Sequence, residues 1–485
     1  MRLPSFLLHL TVSALALAFS PAASADHIEP SFRVQTNLLS LTFPQENASS
    51  LAFAGRNRAG EALLGLVRID DDGLSYRELP LPEGAAAIDV GPASASTGTL
   101  FVLCAGSVHL LDAFHGELTK VADTTSLYRG RSFAELNSDL DFARDISGDD
   151  IAELLVPDFD AVHMIAETGY REIPVPSYRR GYDQTVTYRT PTVAAAPKVA
   201  SDTLYTVRGN ELLRFDPGSA RAQVSVLSLG LSDELEQETF YNSYEDIDQT
   251  DVVLRELDRF TDINGDNVPD IVTLETVSEG VFNKTTTYRI HHGRLEDEQL
   301  TYDGEADTVL SSKGFQLSAR VAPIDDERKM LVTASVQVGV RAIIGALFSR
   351  AVTMRINIHP STADGAIEST PSTTIKARVK FDFGTGQVEF PTIAFGDIDG
   401  DGINDLVLKE RKRAMNWRRG TGDGSFDTRS QDLNVTGPAN GANVVLTDLS
   451  DNGRDELVVL YGRADGDELA GRVAVFYGLA ENPSD

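Results

Sequence analysis

Short apolar runs alternate with polar turns along most of the chain. The run at residues 100–104, for example, has a glycine-containing segment on each side. Nowhere does a long segment repeat apolar residues at helical spacing. Short β-rich runs bounded by turn residues are typical of all-β proteins. The pattern therefore predicts an array of short β-strands.

One arrangement occurs four times: a strand, a tight acidic turn and a strongly apolar strand. The turns begin at Asp145, Asp262, Asp397 and Asp448. The last two aspartates lie 51 residues apart, which suits one four-stranded blade of a β-propeller. The two longer gaps each suit two blades with insertions.

Degenerate repeats without the acidic residues fit between these turns. Candidates lie at residues 193–207 and 320–332, and two more cycles fit near 36–82 and 86–128. The repeats predict an all-β propeller of eight four-stranded blades. Seven blades stay open because the blade limits within 230–390 are blurred. Closure of the ring leaves few open sheet edges, and strands near 34–43 are predicted to complete the last blade.

The first 25 residues predict a secretory signal peptide. Arg2 precedes an apolar stretch at 7–19, and small residues follow at 23–25. Cleavage after Ala25 would leave a single propeller domain at 26–485. No later stretch approaches the ~18 apolar residues of a membrane-spanning helix. We therefore expect a secreted or periplasmic protein; a short N-terminal membrane anchor is the alternative.

Acidic residues outnumber basic ones, 73 to 43, and give a net charge of -30 at pH 7. Such a surface repels nucleic acid and anionic lipid, so neither is expected as a partner. It also supplies carboxylate oxygens, which calcium prefers as ligands. Cys104 is the only cysteine, so an intrachain disulfide is excluded. Its position in an apolar run predicts a buried, inert thiol.

The spacing within each acidic turn suits a calcium-binding loop. Calcium takes about 6–8 oxygen ligands. Side chains at loop positions one, three, five and nine can supply them, together with the backbone carbonyl at position seven. The predicted ligands are Asp397, Asp399, Asp401, Ile403 and Asp405; Asp262, Asn264, Asp266, Val268 and Asp270; Asp145, Ser147, Asp149, Ile151 and Glu153; and Asp448, Ser450, Asn452, Arg454 and Glu456.

An EF-hand loop begins in the same way but needs a carboxylate at position twelve and then a helix. Here position twelve holds Leu408, Thr273, Val156 or Val459, and strand-like residues follow. The loops instead resemble those of FG-GAP/VCBS repeats, the family that includes the propeller of integrin α subunits. Segment 419–426 is similar to the glycine-rich outer hairpin of VCBS repeats. The resemblance implies calcium between the first two strands of a blade, and roles in adhesion, recognition or complex assembly.

The leading hypothesis is a calcium-binding module that recognises a protein or carbohydrate partner. The eight histidines form no zinc motif, and no nucleophile elbow or phosphate-binding loop occurs. His291 and His292 are interpreted as ordinary strand residues.

A secreted hydrolase or lyase with its site in the propeller channel is the alternative, because a pair of carboxylates can hydrolyse glycosides. A third hypothesis is a structural surface protein whose insertions at 230–255 and 335–378 contact neighbours.

A basic cluster interrupts the acidic pattern around Trp417, the only tryptophan. Tryptophan beside arginine is typical of contact hot spots, and such a patch would bind an acidic protein surface or an anionic glycan. We favour a simpler interpretation, an exposed hairpin whose bases neutralise nearby carboxylates. The basic residues are Lys409, Arg411, Lys412, Arg413, Arg418 and Arg419.

The acidic turns also have a simpler interpretation, as turns that only solvate strand ends.

Overall fold

Antiparallel strands make up almost all of the described chain. The computed structural model describes residues 24–43, 48–70, 73–91, 99–112, 116–129, 135–146, 151–167, 169–182, 185–196, 203–216, 219, 221–231, 240–241, 250–279, 283–297, 299–325, 328–336, 349–362, 365–382, 387–409 and 413–479. Within these residues, eight small sheets are arranged as the blades of a β-propeller. The predicted all-β class and the count of eight blades are confirmed.

The first four blades follow one another along the chain, with strands numbered in chain order. β1 (Ser24–Ile28) belongs to the last blade. Blade 1 contains β2 (Arg33–Val34), β3 (Leu39–Phe43), β4 (Ala48–Arg56), β5 (Ala62–Asp70) and β6 (Gly73–Pro80); blade 2, β7 (Ala85–Gly91), β8 (Thr99–Cys104), β9 (Ser107–Asp112) and β10 (Glu117–Asp123); blade 3, β11 (Ala143–Arg144), β12 (Glu153–Pro157), β13 (Val162–Ala166) and β14 (Gly169–Ile173). After β15 (Tyr178–Tyr182) and β16 (Thr185–Arg189), blade 4 contains β17 (Val193–Ala195), β18 (Leu204–Arg208), β19 (Glu211–Phe215) and β20 (Gln223–Val226).

The second half repeats the arrangement with longer strands in blades 5 and 6. After β21 (Phe240–Tyr241), which pairs with β15, blade 5 contains β22 (Thr250–Thr261), β23 (Asp270–Glu279), β24 (Lys284–His291) and β27 (Thr308–Lys313), with the hairpin β25 (Arg294–Glu296) and β26 (Gln299–Thr301) inserted. Blade 6 contains β28 (Phe315–Pro323), β29 (Lys329–Val336), β30 (Ala351–Pro360), β31 (Thr373–Asp382) and β32 (Gln387–Glu389); blade 7, β33 (Ile393–Gly396), β34 (Asp405–Lys409), β35 (Ala414–Arg418) and β36 (Gln431–Thr436); blade 8, β37 (Val444–Thr447), β38 (Glu456–Leu460) and β39 (Val473–Tyr477). A short 3-10 turn spans Arg463–Asp465.

The predicted degenerate repeats are confirmed as blades. The cycles near 36–82 and 86–128 correspond to blades 1 and 2, and those at 193–207 and 320–332 begin blades 4 and 6. The prediction of a long insertion at 335–378 is wrong in its described part, because β30 and the start of β31 lie there as blade strands. Alternating buried and exposed residues along β30 make it an ordinary blade strand.

The hydrophobic core lies between neighbouring blades. Eight buried apolar clusters occur in the described residues, and each joins one blade to the next around the ring. Cys104 belongs to the cluster between blades 1 and 2, where burial raises the pKa of its thiol to about 11. This agrees with the predicted inert thiol. Burial of apolar surface at every blade interface stabilises the closed ring.

The ring is closed by the first strand. β1 pairs antiparallel with β39 and supplies the fourth strand of blade 8. Ile28, opposite Val473, is buried in the cluster between blades 8 and 1. The predicted clasp at 34–43 is wrong, because those residues form β2 and β3 within blade 1. The predicted signal peptide falls mostly outside the described residues.

Antiparallel order gives the ring two distinct faces. The loop between a blade's first and second strands lies at the opposite end from the loop between its second and third strands. The link from one blade to the next lies at that opposite end too. We call the first end the acidic-loop face and the second the link face.

Candidate functional site

All four acidic turns join the first and second strands of a blade. They occupy residues 145–152, 262–269, 397–404 and 448–455, in blades 3, 5, 7 and 8. The predicted order of strand, acidic turn and apolar strand is confirmed. Ser147 and Asp149 lie outside the described residues.

One hydrogen bond is common to the four turns. The carboxylate at position nine is almost fully buried and accepts the backbone N–H of position two, whose apolar side chain is buried as well. The turn therefore closes around a buried acid, whatever its metal content. The pairs are Ile146 to Glu153 (2.6 Å), Ile263 to Asp270 (2.8 Å), Ile398 to Asp405 (3.1 Å) and Leu449 to Glu456 (2.7 Å).

The aspartate at position one organises the other end of the turn. Asp397 accepts the backbone N–H groups of Gly400 (2.7 Å), Asp401 (3.1 Å) and Gly402 (2.7 Å). Gly400 and Gly402 have φ values of 79° and 80°, which glycine adopts without steric cost. Asp262 and Asp448 accept equivalent bonds in their turns.

Among the described residues, the carboxylates of the Asp397 turn are the ones that converge. One oxygen from each of Asp397, Asp399 and Asp405 lies within 4.8 Å of the others. Burial raises the pKa of Asp405 to about 7, and the charges of Asp399 and Asp397 add to the effect. Burial and the charge of Asp401 raise the pKa of Asp399. Asp399 Oδ1 is buried and has no hydrogen-bond partner among the described residues.

Arg419 partly balances this charge from the hairpin after β35. Its guanidinium Nε lies 2.9 Å from Asp399 Oδ2, and its Nη2 lies 2.6 Å from Asp401 Oδ2. These ion pairs engage Oδ2 of Asp399 and leave its Oδ1 without a hydrogen-bond partner among the described residues. The sequence predicted that the basic cluster neutralises nearby carboxylates but did not assign Arg419 to Asp399 and Asp401, because β34 and β35 separate them along the chain.

The Asp262 turn makes different contacts. Lys329 Nζ lies 3.8 Å from Asp262 Oδ2, and Asp270 lies 3.2 Å from His292 Nδ1. The hydrogen bond to Asp270 raises the pKa of His292. The interpretation of both histidines as strand residues is confirmed for His291 but is wrong for His292, which lies just beyond the end of β24.

The Asp448 turn satisfies its own polar groups. Glu456 accepts hydrogen bonds from the Ser450 backbone (3.2 Å) and hydroxyl (2.7 Å), and Asn452 Nδ2 donates to the Ser450 hydroxyl (2.6 Å). Burial raises the pKa of Glu456. In the Asp145 turn, the described ligand candidates are Asp145, Ile151 and Glu153.

The described part of the basic cluster is not one exposed patch, because Trp417 and the Lys409 side chain are buried, although Arg419 is exposed. Trp417 is 4% exposed in the core between blades 7 and 8, so its hypothetical role as an exposed hot spot is wrong. Lys409 Nζ donates to the carbonyls of Pro438 (2.6 Å) and Ala439 (3.0 Å). Arg413 pairs with Asp465, so the predicted neutralisation of nearby carboxylates holds for Arg413 and Arg419. Arg411 and Lys412 lie outside the described residues.

A large cleft opens on the link face, opposite the acidic turns. It has a volume of about 1570 Å³. Segments from three consecutive blades line it: 29–37 and 56–60 in blade 1, 83–85 at the start of blade 2, and 460–463 with 470–472 in blade 8. Nothing in the sequence pattern indicated this cleft, because it forms where the two ends of the chain meet.

The fold and the turns together define an eight-bladed β-propeller with acidic turns on one face and a large arginine-lined cleft on the other. In the described residues, no helix has the length and apolar character needed to cross a membrane.

No family model matches the chain, and no curated protein matches it. Several solved structures are similar at low identity. The core factor of S. cerevisiae is 8% identical with a TM-score of 0.37, and the match covers 83% of this chain and 62% of that one. A hypothetical selenium-binding protein from Sulfolobus tokodaii is 10% identical (TM-score 0.33; 76% and 87% covered). AofleA from Arthrobotrys oligospora is also 10% identical (TM-score 0.28; 85% and 90% covered).

Proposed function

We propose that the protein is an exported, calcium-stabilised β-propeller that serves as a recognition or scaffold module for a protein or carbohydrate partner. One observation carries the calcium part of the proposal: three carboxylates converge within 4.8 Å in the Asp397 turn. The resemblance of all four turns to FG-GAP/VCBS calcium loops supports it. The apolar stretch at 7–19 supports export.

The Asp397 turn fits a hard cation. Asp397, Asp399, Asp401 and Asp405 with the Ile403 carbonyl would hold the ion, since calcium prefers oxygen ligands. Asp399 Oδ1 is a buried acceptor without a donor, and such a group is costly unless it gains a partner. Bound calcium would supply positive charge among carboxylates that otherwise raise one another's pKa.

A structural role for the ion suits the surroundings better than a catalytic one. The Asp397 turn also contacts its neighbours on both sides: Asn404 N–H donates to the Ile324 carbonyl of blade 6 (2.8 Å) and Asp397 N–H to Asp455 of blade 8 (2.7 Å). An ion in this turn would therefore fix three blades relative to one another. The link face would then be available to bind a partner.

The enzyme alternative has little support in the described residues. A group of His, Tyr, Arg and carboxylate side chains outside the acidic turns comprises His163, Asp158, Tyr170 and Arg129. His163 and Tyr170 lie on β13 and β14, the third and fourth strands of blade 3. The inner strands line the channel of a propeller, so these groups do not converge on it.

The calcium site is tested by titrating calcium into metal-free protein by isothermal calorimetry. Asp399→Asn removes one carboxylate and keeps the size of a partly exposed side chain, so the fold should persist. We expect wild-type protein to bind calcium and this variant to lose one ion per chain or to bind it at least tenfold more weakly. Asp427→Asn is the control, because Asp427 is an exposed aspartate in the neighbouring hairpin. Absence of calcium binding by the wild type, or equal binding by both variants, would contradict the proposal.

A further inference from the structure

The link-face cleft is built from loops at the seam where the ring closes. Its walls are the chain between β1 and β3, the turn between β4 and β5, the link between β6 and β7, and the long loop between β38 and β39. A volume of about 1570 Å³ exceeds the ~300–1,000 Å³ of typical small-molecule pockets. The cleft therefore suits an extended ligand rather than a single small ion.

The charge of the cleft is opposite to that of the chain. Five arginines line it, Arg33, Arg56, Arg58, Arg463 and Arg472, against three carboxylates, Glu29, Glu83 and Asp467. The whole chain carries a net charge of -30. A local excess of arginine on a strongly acidic protein attracts anions to that place and repels them elsewhere.

The arginines divide into two groups. Arg472 pairs with Glu29 (2.8 Å), and Arg56 donates to the carbonyls of Gly60 (3.1 Å) and Ala85 (2.8 Å). These contacts fix the walls. Arg33, Arg58 and Arg463 are exposed and make no ion pair with a carboxylate of the described residues. Their guanidinium groups are free to form paired hydrogen bonds with carboxylate or sulfate oxygens.

The aromatic residues of the lining offer little exposed surface to a ligand. Its aromatic residues, Phe32 and Tyr461, are 6% and 2% exposed, and the Tyr461 hydroxyl donates to the Thr436 carbonyl (2.8 Å). Protein partners usually insert aromatic or aliphatic side chains into such a pocket. A ligand held mainly by charge and hydrogen bonds to the exposed arginines fits the cleft better.

We infer that the link-face cleft binds an anionic oligosaccharide, a sulfated or uronate-containing glycan, through Arg33, Arg58 and Arg463. The inference deepens the recognition part of the proposed function and does not depend on calcium binding. Sulfate and carboxylate share the geometry that guanidinium recognises, so both kinds of glycan are tested.

The test measures binding by calorimetry, in calcium-containing buffer, to a heparin-derived hexasaccharide and to hexagalacturonate. Maltohexaose is the neutral probe and hexaglutamate the acidic peptide probe. We expect at least one acidic glycan to bind, and the neutral sugar and the peptide to bind at least tenfold more weakly. The triple variant Arg33→Ala, Arg58→Ala, Arg463→Ala should weaken glycan binding at least tenfold.

A matched control separates the cleft from general charge. The triple variant Arg221→Ala, Arg378→Ala, Arg429→Ala removes the same charge from exposed positions on blades 4, 6 and 7 and should bind the glycan like wild type. The inference is overturned if neither glycan binds, if both triple variants lose binding equally, or if hexaglutamate binds as tightly as the glycans. If the glycan test fails but the wild type still binds calcium in the titration, the calcium proposal is unaffected.

Discussion

Asp397 and Asp455 are joined by two hydrogen bonds across the boundary between blades 7 and 8. The Asp397 N–H donates to Asp455 Oδ2 (2.7 Å), and the Asp455 N–H donates to the Asp397 carbonyl (2.6 Å). The first residue of one acidic turn is thus fixed to the last residue of the next. The same kind of bond joins blades 6 and 7, where Asn404 N–H donates to the Ile324 carbonyl.

Two replacements of Asp455 show whether its role as a hydrogen-bond acceptor or its negative charge stabilises the protein. Burial raises the pKa of this carboxyl group to about 6, so its charged form is disfavoured in the fold. Asp455→Asn keeps an acceptor for Asp397 N–H and should change the free energy of unfolding by less than about 1 kcal/mol. Asp455→Ala leaves a part-buried donor unpaired and should cost about 1–3 kcal/mol. Denaturant unfolding measures both values, and equal losses would contradict the account.

Gly396 should tolerate no side chain. A Cβ atom there would lie 2.4 Å from both Asp455 Oδ2 and Leu446 Cβ. Gly396→Ala should therefore destabilise the protein by about 1–3 kcal/mol, as overpacking typically does. Gly106→Ala is the control, because its Cβ would meet nothing within 4 Å. The same unfolding assay should find Gly106→Ala close to wild type; similar losses in both variants would refute close packing at this boundary.

Closure of the ring depends on Ile28. This side chain is 4% exposed in the cluster between blades 8 and 1, whereas His27 on the opposite face of β1 is exposed. Ile28→Ala should lower the free energy of unfolding by about 2–3 kcal/mol, and His27→Ala should leave it unchanged. Cleavage after Ala25 would keep both residues. If Ile28→Ala has no effect in thermal and denaturant unfolding, β1 does not close the ring in solution.

Lys409 should give the stability a distinctive pH dependence. Burial lowers the pKa of this ammonium group to about 8, from an ordinary 10.5. Between those values the folded state binds fewer protons than the unfolded state, so stability from this group increases as pH rises. The free energy of unfolding of the wild type should therefore rise relative to that of Lys409→Met as the pH increases. Between pH 7 and pH 10 the expected change in this difference is on the order of 2 kcal/mol. A constant gap would mean that Lys409 titrates normally.

Local signals in the sequence predicted the blades and the acidic turns well. Position-specific residues such as Asp397, Gly400 and Asp405 encode the turn themselves, because the contacts lie within nine residues. Period-two apolar runs and turn residues encode the blades in the same local way.

Long-range relationships were the part that the sequence did not reveal. β1 meets β39 across almost the whole chain, so no local pattern distinguished residues 24–28 from 34–43 as the clasp. Arg419 and His292 reach their partners Asp401 and Asp270 only because neighbouring strands align them. The link-face cleft likewise exists only when the last blade meets the first.

Thermal unfolding of residues 26–485, with calcium and with excess chelator, tests the central claim most directly. A ligand that binds only the folded state stabilises it, by about 2.7 kcal/mol per site at a hundredfold excess over Kd. We predict a clearly lower melting temperature in chelator, restored by calcium but not by equimolar magnesium, with bound calcium found by metal analysis. Identical melting curves and metal-free protein would contradict the account and leave the acidic turns as purely hydrogen-bonded turns.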